Sequence, residues 1–186
     1  MMTQQIERSA RKTDHPALVD VLNDAVGTEI VCWLRYSRHA DSLSGLGSEH
    51  VCAAFYRYAE QELRHAIRAA ERVSQCGGKP NFAPSTQASH VETAYGMPEN
   101  ADAAGMLREN LAAERTMILA YREIIRRVGG RDPATRRLLE SLLAEHEHHA
   151  DDLRSLLGHS NTPQEARWRR GSSPLEDSTL LERPAC

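Results

Sequence analysis

The chain has 186 residues, of which 26% are charged, and its formal net charge at pH 7 is −3. This length suits one domain with a hydrophobic core, and the near-balanced charge excludes the basic field of proteins that bind nucleic acid over a whole face. No apolar run reaches the roughly 20 residues that a membrane-spanning helix needs, and the start of the chain lacks the apolar stretch of a secretory signal. We therefore expect a cytoplasmic protein without membrane association.

The cysteines point away from a zinc ribbon, a rubredoxin-type iron site and a disulfide-stabilised scaffold. They form no Cys-x-x-Cys pair and no closely spaced framework. We expect all four to be reduced thiols. They are Cys32, Cys52, Cys76 and Cys186.

Apolar residues recur at steps of three and four through most of the chain, which predicts an all-α protein. A first helix is expected from Pro16, a favoured first-turn residue, to about Leu43. A second should follow the N-cap residue Ser48 and end at Cys76, before a Gly-Gly pair. A third should run from near Asn100 to the next Gly-Gly pair.

The fourth helix is expected to start with Asp132 and Pro133, an N-cap residue followed by a first-turn proline, and to end near Leu157. Two connections are short, so helices one and two, and helices three and four, should pack as antiparallel hairpins. Residues 77–99 are long enough to cross from one end of the bundle to the other, and residues 89–95 could add a short helical turn. One long crossover between two hairpins predicts a ferritin-like four-helix bundle.

This interpretation divides the chain into three parts. Residues 15–158 form the helical domain, between flexible tails at residues 1–14 and 159–186. The C-terminal tail has balanced charges, and the N-terminal one adds few basic residues, so both are expected to be solvated. DNA binding, or docking to a partner through the leucines after residue 174, is the alternative role.

Each predicted helix carries one glutamate on its inward stripe, where an uncompensated carboxylate would be costly. Two of these glutamates open a Glu-x-x-His step, which places both side chains on one helical face. Two divalent cations would neutralise the four carboxylates, and oxygen and imidazole donors without thiolates favour iron or manganese. The predicted ligands are Glu29, Glu62, His65, Glu114, Glu145 and His148.

Three alternatives remain at this site. The glutamates could lie at the edges of the bundle and extend to water. His149 could replace His148, because it lies four residues after Glu145 on nearly the same face. Tyr36 and Tyr121, each seven residues after a predicted ligand, could hydrogen-bond the ligands or donate an electron, or they could be ordinary core tyrosines.

With these motifs the chain resembles the ferritin superfamily, specifically bacterioferritin and the Dps-like proteins that carry a bacterioferritin-type centre. The resemblance covers residues 17–158 and includes EQELRHA around His65 and LLAEHEHHADDL around His148. It implies a ferroxidase that binds two iron ions per subunit. Glu29 and His65 would bind one iron, Glu114 and His148 the other, and Glu62 and Glu145 would bridge them.

The resemblance also implies a homo-oligomeric cage of 12 or 24 subunits that oxidises Fe(II) with O₂ or H₂O₂ and stores the product. Bacterioferritins have a haem-binding methionine where this chain has Leu63, so no haem is expected. The paired cysteines common near the site in Dps-like proteins are missing. Iron storage and detoxification is the leading hypothesis. A di-iron or di-manganese enzyme acting on peroxide or an organic substrate, and a Dps-type DNA-protecting shell, are the alternatives.

Overall fold

The computed structural model describes residues 2–45, 48–83 and 102–160. These residues form four helices and contain no strand, so the predicted all-α four-helix fold is confirmed. The helices are α1 (Met2–Leu43), α2 (Glu49–Gln75), α3 (Ala103–Val128) and α4 (Pro133–Ser160).

Local sequence signals fix most of the helix ends. The Asp102 carboxylate caps α3 by accepting a hydrogen bond from the Gly105 backbone N–H at 2.8 Å. Asp132 does the same for α4, accepting from the backbone of Thr135 at 3.0 Å. Gly129 ends α3 with φ 57°, a left-handed conformation that favours glycine. Ser48 occupies the N-cap position of α2 but makes no side-chain capping bond.

The first helix differs from the prediction at its start. It begins at Met2 and continues through Pro16, where the sequence had predicted its first turn. The residues before Pro16 include no glycine and are mostly good helix formers, so the missing proline N–H does not end the helix. The fourth helix likewise runs through Gly158 to Ser160. The proposal that residues 1–14 are a flexible tail remains a prediction.

Helices that are joined by a short connection make most of the contacts between helices. The principal contacts join α1 to α2 and α3 to α4, and smaller ones join α2 to α4 and α1 to α3. The connections within each pair are only a few residues long, so each pair is an antiparallel hairpin. The helical turn expected at residues 89–95 and the tail after residue 160 lie outside the described residues.

The core has two apolar clusters. One includes Phe55 and Leu153, and the other includes Val73 and Leu139. Along α2 the first cluster ends at Ala59 and the second begins at Ala66, and along α4 the second ends at Leu142 and the first begins at Ala150. Polar side chains occupy these gaps, so the candidate site lies between two apolar layers near the middle of the bundle. Within the described residues, no helix is long and apolar enough to cross a membrane.

Candidate metal centre

Three carboxylates and three imidazoles meet in the gap between the apolar clusters. Every helix contributes, and none of the six side chains is exposed to solvent. The residues are Glu29 on α1, Glu62 and His65 on α2, Glu114 on α3, and His146 and His149 on α4. Such a concentration of buried charge needs compensation that an apolar core cannot provide.

These side chains form two overlapping groups of four. Glu29 and His65 belong to the first group, and Glu114 and His149 belong to the second. Glu62 and His146 belong to both, and within each group the potential ligand atoms lie within 4.8 Å of one another. The arrangement therefore offers two adjacent metal positions that share one carboxylate and one imidazole.

The two positions have similar internal distances. At the first, His65 Nδ1 lies 3.2 Å from Glu62 Oε2 and 3.5 Å from Glu29 Oε2. At the second, His149 Nδ1 lies 3.1 Å from Glu62 Oε1 and 3.8 Å from Glu114 Oε1. His65 and His149, which each belong to one group only and are called the terminal histidines below, thus both direct Nδ1 towards the shared carboxylate of Glu62.

Three buried atoms of the cluster lack a properly oriented hydrogen-bond partner. They are Glu29 Oε2, Glu62 Oε1 and His149 Nδ1. The last two are close together, but their mutual orientation is not that of a hydrogen bond. Buried polar atoms are rarely left unsatisfied in proteins, and a cation is one group that could satisfy all three.

Charge coupling dominates the titration of the metal-free cluster. Burial alone would lower the pKa of His65, but interactions with Glu29 and Glu62 outweigh burial and raise it to about 10. Burial opposes protonation of His149 too, yet Glu114 and Glu62 raise its pKa to about 9. Without metal, both imidazoles are therefore protonated at neutral pH and partly compensate the carboxylates.

The carboxylates respond in different directions. Burial would raise the pKa of Glu29, but attraction to His146 holds it well below the usual range. The pKa of Glu114 is lowered for the same reason. At Glu62, burial and repulsion from Glu29 prevail over the histidines, so its pKa is raised. Of the three carboxylates, Glu62 is therefore the one whose charged form the cluster disfavours.

The two predicted tyrosines contact the carboxylates across the bundle. The Tyr36 hydroxyl donates to Glu114 Oε1 at 2.6 Å, and the Tyr121 hydroxyl donates to Glu29 Oε1. Each tyrosine follows one of these glutamates by seven residues in its own helix but bonds the glutamate of the other helix. The two tyrosines thus hold the carboxylates of Glu29 and Glu114 in place. Burial raises the pKa of both tyrosine hydroxyls, so they stay protonated and remain donors.

The terminal histidines are held by their outer nitrogens. His65 Nε2 lies 2.8 Å from Glu145 Oε2, and His149 Nε2 lies 3.0 Å from Gln61 Oε1. Arg68 Nη1 in turn donates to Glu145 Oε1 at 2.7 Å. Metal-binding histidines usually donate their second N–H to such a partner, which fixes the ring orientation and leaves the other nitrogen for the metal.

A buried arginine lies beside the centre. Arg35 donates to Asn110 Oδ1 at 3.1 Å and to Cys32 Sγ at 3.4 Å. Its guanidinium group adds positive charge near Glu114. Burial raises the pKa of the Cys32 thiol, which therefore remains neutral and acts as a small core residue. None of the described cysteines, Cys32, Cys52 and Cys76, is in a disulfide bond.

The structure brings together four of the six predicted ligands, which are Glu29, Glu62, His65 and Glu114. It does not bring in the other two. Glu145 lies at the edge, 37% exposed, in contact with His65, and His148 is 69% exposed and lies 3.6 Å from Asp152 on the surface. The structure therefore places both predicted α4 ligands outside the buried cluster. The alternative histidine, His149, lies in the cluster.

His146 was missed, although the apolar pattern of α4 carries a signal for it. The buried residues Leu139, Leu142 and Leu153 define an inward stripe with steps of three and four. Continuing those steps from Leu142 gives His146 and His149, whereas matching the Glu-x-x-His spacing of α2 gives the flanking positions. The helical period of the apolar residues on α4 therefore indicated the buried positions better than the Glu-x-x-His spacing did.

The donor set fits transition-metal ions. Carboxylate oxygens and imidazole nitrogens suit iron, manganese and zinc, and neither group of candidate ligands contains a thiolate. The orphaned carboxylate oxygens supply the independent sign that a cation belongs there.

Comparison with known proteins decides the family. The family model for the ferritin-like domain matches residues 19–162. The chain belongs to the ferritin-like family. The match spans all six residues of the cluster, so the resemblance recognised from sequence motifs is confirmed. No curated protein sequence matches this ferritin-like chain.

A solved structure resembles the ferritin-like chain along most of its length. It is a dodecameric thioferritin, the bacterioferritin-related protein from Bacteroides fragilis. The two chains are 29% identical, with a TM-score of 0.69, and the match covers 88% of this chain and 97% of the other. This chain therefore shares the ferritin-like fold with a protein that forms a dodecamer.

Proposed function

We propose that this protein is a ferroxidase that oxidises Fe(II) at a two-metal centre and stores the ferric product inside a homo-oligomeric cage. The observation that carries the proposal is the buried cluster of three carboxylates and three imidazoles with orphaned ligand atoms. Membership of the ferritin-like family supports iron as the metal.

In this proposal iron is the substrate as well as the occupant of the site. Glu29 and His65 would hold one Fe(II), Glu114 and His149 would hold the other, and Glu62 would contact both. Each ferrous ion would give up one electron. The two electrons would reduce one H₂O₂ to two hydroxide ions, or one O₂ together with two protons to H₂O₂.

The surrounding residues would prepare the site for this reaction. The two tyrosine hydroxyls hold Glu29 and Glu114 by their Oε1 atoms. Glu145 and Gln61 hold the terminal imidazoles so that each directs Nδ1 inward. These contacts orient the ligand side chains towards the cluster, which would favour binding of iron there.

The storage half of the proposal rests on the assembly of the related protein. The bacterioferritin-related protein of Bacteroides fragilis is dodecameric. We therefore infer a cage of 12 rather than 24 copies, in which ferric product leaves the centre and accumulates in the interior.

The test is aerobic Fe(II) loading of protein whose mass is measured by light scattering. A particle of about 12 chains should oxidise far more than two irons per chain, keep the product soluble and co-elute with it. A dimer that oxidises two irons per chain and then stops would overturn storage. A large particle that oxidises Fe(II) no faster than protein-free buffer does would overturn the proposed ferroxidase activity.

A further inference from the structure

His146 occupies the place in α4 that Glu62 occupies in α2. Glu62 precedes a terminal histidine, His65, by three residues, and His146 precedes the other, His149, by three. Each first member belongs to both groups of candidate ligands. The two residues that both groups share are therefore one carboxylate and one imidazole, rather than two carboxylates.

The two ring nitrogens of His146 face different metal positions. Nδ1 lies 2.8 Å from Glu114 Oε2, which belongs to the second position. Nε2 lies 3.2 Å from Glu29 Oε1, which belongs to the first. A ligand that served one position only would direct one nitrogen to that position and bond the other to an outer partner, as His65 and His149 do.

We propose that His146 bridges the two metal ions, binding one through each ring nitrogen. The proposal rests on the two-metal centre proposed above and deepens it. A ring that binds at both nitrogens carries no N–H, so both protons of the imidazolium form that Glu29, Glu62 and Glu114 favour must be displaced to solvent as the metals enter. The bridging ring is then an imidazolate with one negative charge.

Charge balance supports the imidazolate. Glu29, Glu62 and Glu114 supply three negative charges, one fewer than two divalent cations need. An imidazolate at His146 supplies the fourth, so the buried centre becomes neutral with two divalent ions. A neutral His146 would leave a net positive charge in a site without solvent exposure, beside the buried guanidinium of Arg35.

Ligand number leads to the same arrangement. Without His146, each position has three protein ligands, and Glu62 is one of the three in both. A bridging imidazolate gives each position a fourth and leaves the remaining coordination sites for small molecules. Four protein donors with two nitrogens at each position suit Zn(II) and Co(II) as well as iron, so redox-inert Zn(II) can probe the geometry.

The direct test is a crystal structure of the full chain loaded with Zn(II), with the ions located by their anomalous scattering. The expected result is two ions per chain, each about 2.0–2.1 Å from a different nitrogen of His146. Two ions bound by the other five residues without His146, or His146 bound to a single ion, would overturn the bridge and leave the two-metal centre intact. Absence of bound ions would overturn both.

Zinc binding in solution provides the matched comparison. In equilibrium dialysis, His146→Glu should keep two tightly bound Zn(II) ions, because a carboxylate can also bridge. His146→Asn should bind the second ion at least about tenfold more weakly. His148→Asn, two residues away on the surface, serves as the control and should match the wild type. Equal, tight binding of two ions by the His146→Asn variant would overturn the bridge.

Discussion

Helices α2 and α4 build corresponding parts of one centre from different side chains. On α2 the inward pair is Glu62 and His65, and on α4 it is His146 and His149. The residue before each shared ligand, Gln61 or Glu145, holds the terminal histidine of the opposite helix. The two helices thus place their ligands at matching positions along the helix. The side chains at these positions differ in charge, because one shared ligand is a carboxylate and the other is an imidazole.

This difference changes the role of Glu145. The family resemblance implied a bridging ligand at Glu145, whereas in the structure its counterpart in position is Gln61, and both contact a histidine from outside the cluster. Substitutions in matched pairs on the two helices can therefore separate ligands from the residues that orient them.

The largest effect is expected at Glu62, the carboxylate shared by both positions. Glu62→Ala should slow rapid Fe(II) oxidation by on the order of 100-fold or more, because both ions lose a ligand. Helix content, measured by circular dichroism, should persist since the substitution also removes a buried charge. Glu60→Ala, which alters an exposed side chain paired with Arg64, is the control. Unchanged oxidation in the Glu62 variant would contradict the proposed site.

Neighbouring histidines on α4 provide the next comparison. His149→Ala should weaken Fe(II) binding by about 10- to 100-fold, because a buried nitrogen ligand is lost. His148→Ala should change it by less than about twofold, since His148 lies on the surface. Anaerobic equilibrium dialysis measures both. The reverse order of effects would restore His148 as the ligand predicted from the Glu-x-x-His spacing.

A smaller effect is expected from the residue that orients His65. Glu145→Ala should weaken Fe(II) binding about tenfold, while Glu145→Gln should recover part of the loss because its amide oxygen can still accept from His65 Nε2. Glu147→Ala removes an exposed carboxylate that pairs with Arg122 and is the control. If Glu145 is a ligand instead, the Gln variant should be as impaired as the Ala variant.

A separate effect, on stability rather than on metal binding, is a pH dependence of the metal-free protein. The pKa values of His65 and His149 are raised to about 10 and about 9, above the unfolded value near 6.5. Their stabilisation is therefore fully present below pH 6.5 and is lost as the pH rises through 9 and 10. The free energy of unfolding should fall by about 1 kcal/mol per pH unit for each imidazole between pH 7 and 9.

Urea unfolding of metal-free protein at several pH values measures this slope. His65→Gln should reduce the slope. Stability that is flat or rises between pH 7 and 9 would contradict protonated imidazoles in the metal-free cluster.

The sequence predicted the fold well because each signal was local. Asp132 and Pro133 mark the start of α4, and Gly129 marks the end of α3, through backbone preferences that depend little on distant residues. The start of α1 was harder to predict from the sequence, because Pro16 is compatible both with a first turn and with a longer helix. The matched family model agrees with the predicted fold.

The candidate site was harder to predict where helix rotation mattered. Glu29, Glu62 and Glu114 interrupt apolar stripes, and burial of each follows from that pattern. On α4 the run from Glu145 to His149 offers a potential ligand at every position, so motif spacing alone could not say which side chains face inward. A shift of one residue turns a helix by about 100°, enough to exchange Glu145 for His146.

Anaerobic titration of the metal-free, full-length protein with Fe(II), followed by equilibrium dialysis, tests the proposed centre most directly. The six buried side chains predict saturation at two Fe(II) per chain. Tight binding at this ratio, lost in Glu62→Ala and retained in His148→Ala, is the expected result. Saturation at one ion or none, or binding that survives the loss of Glu62, would contradict a two-metal centre at this place in the bundle.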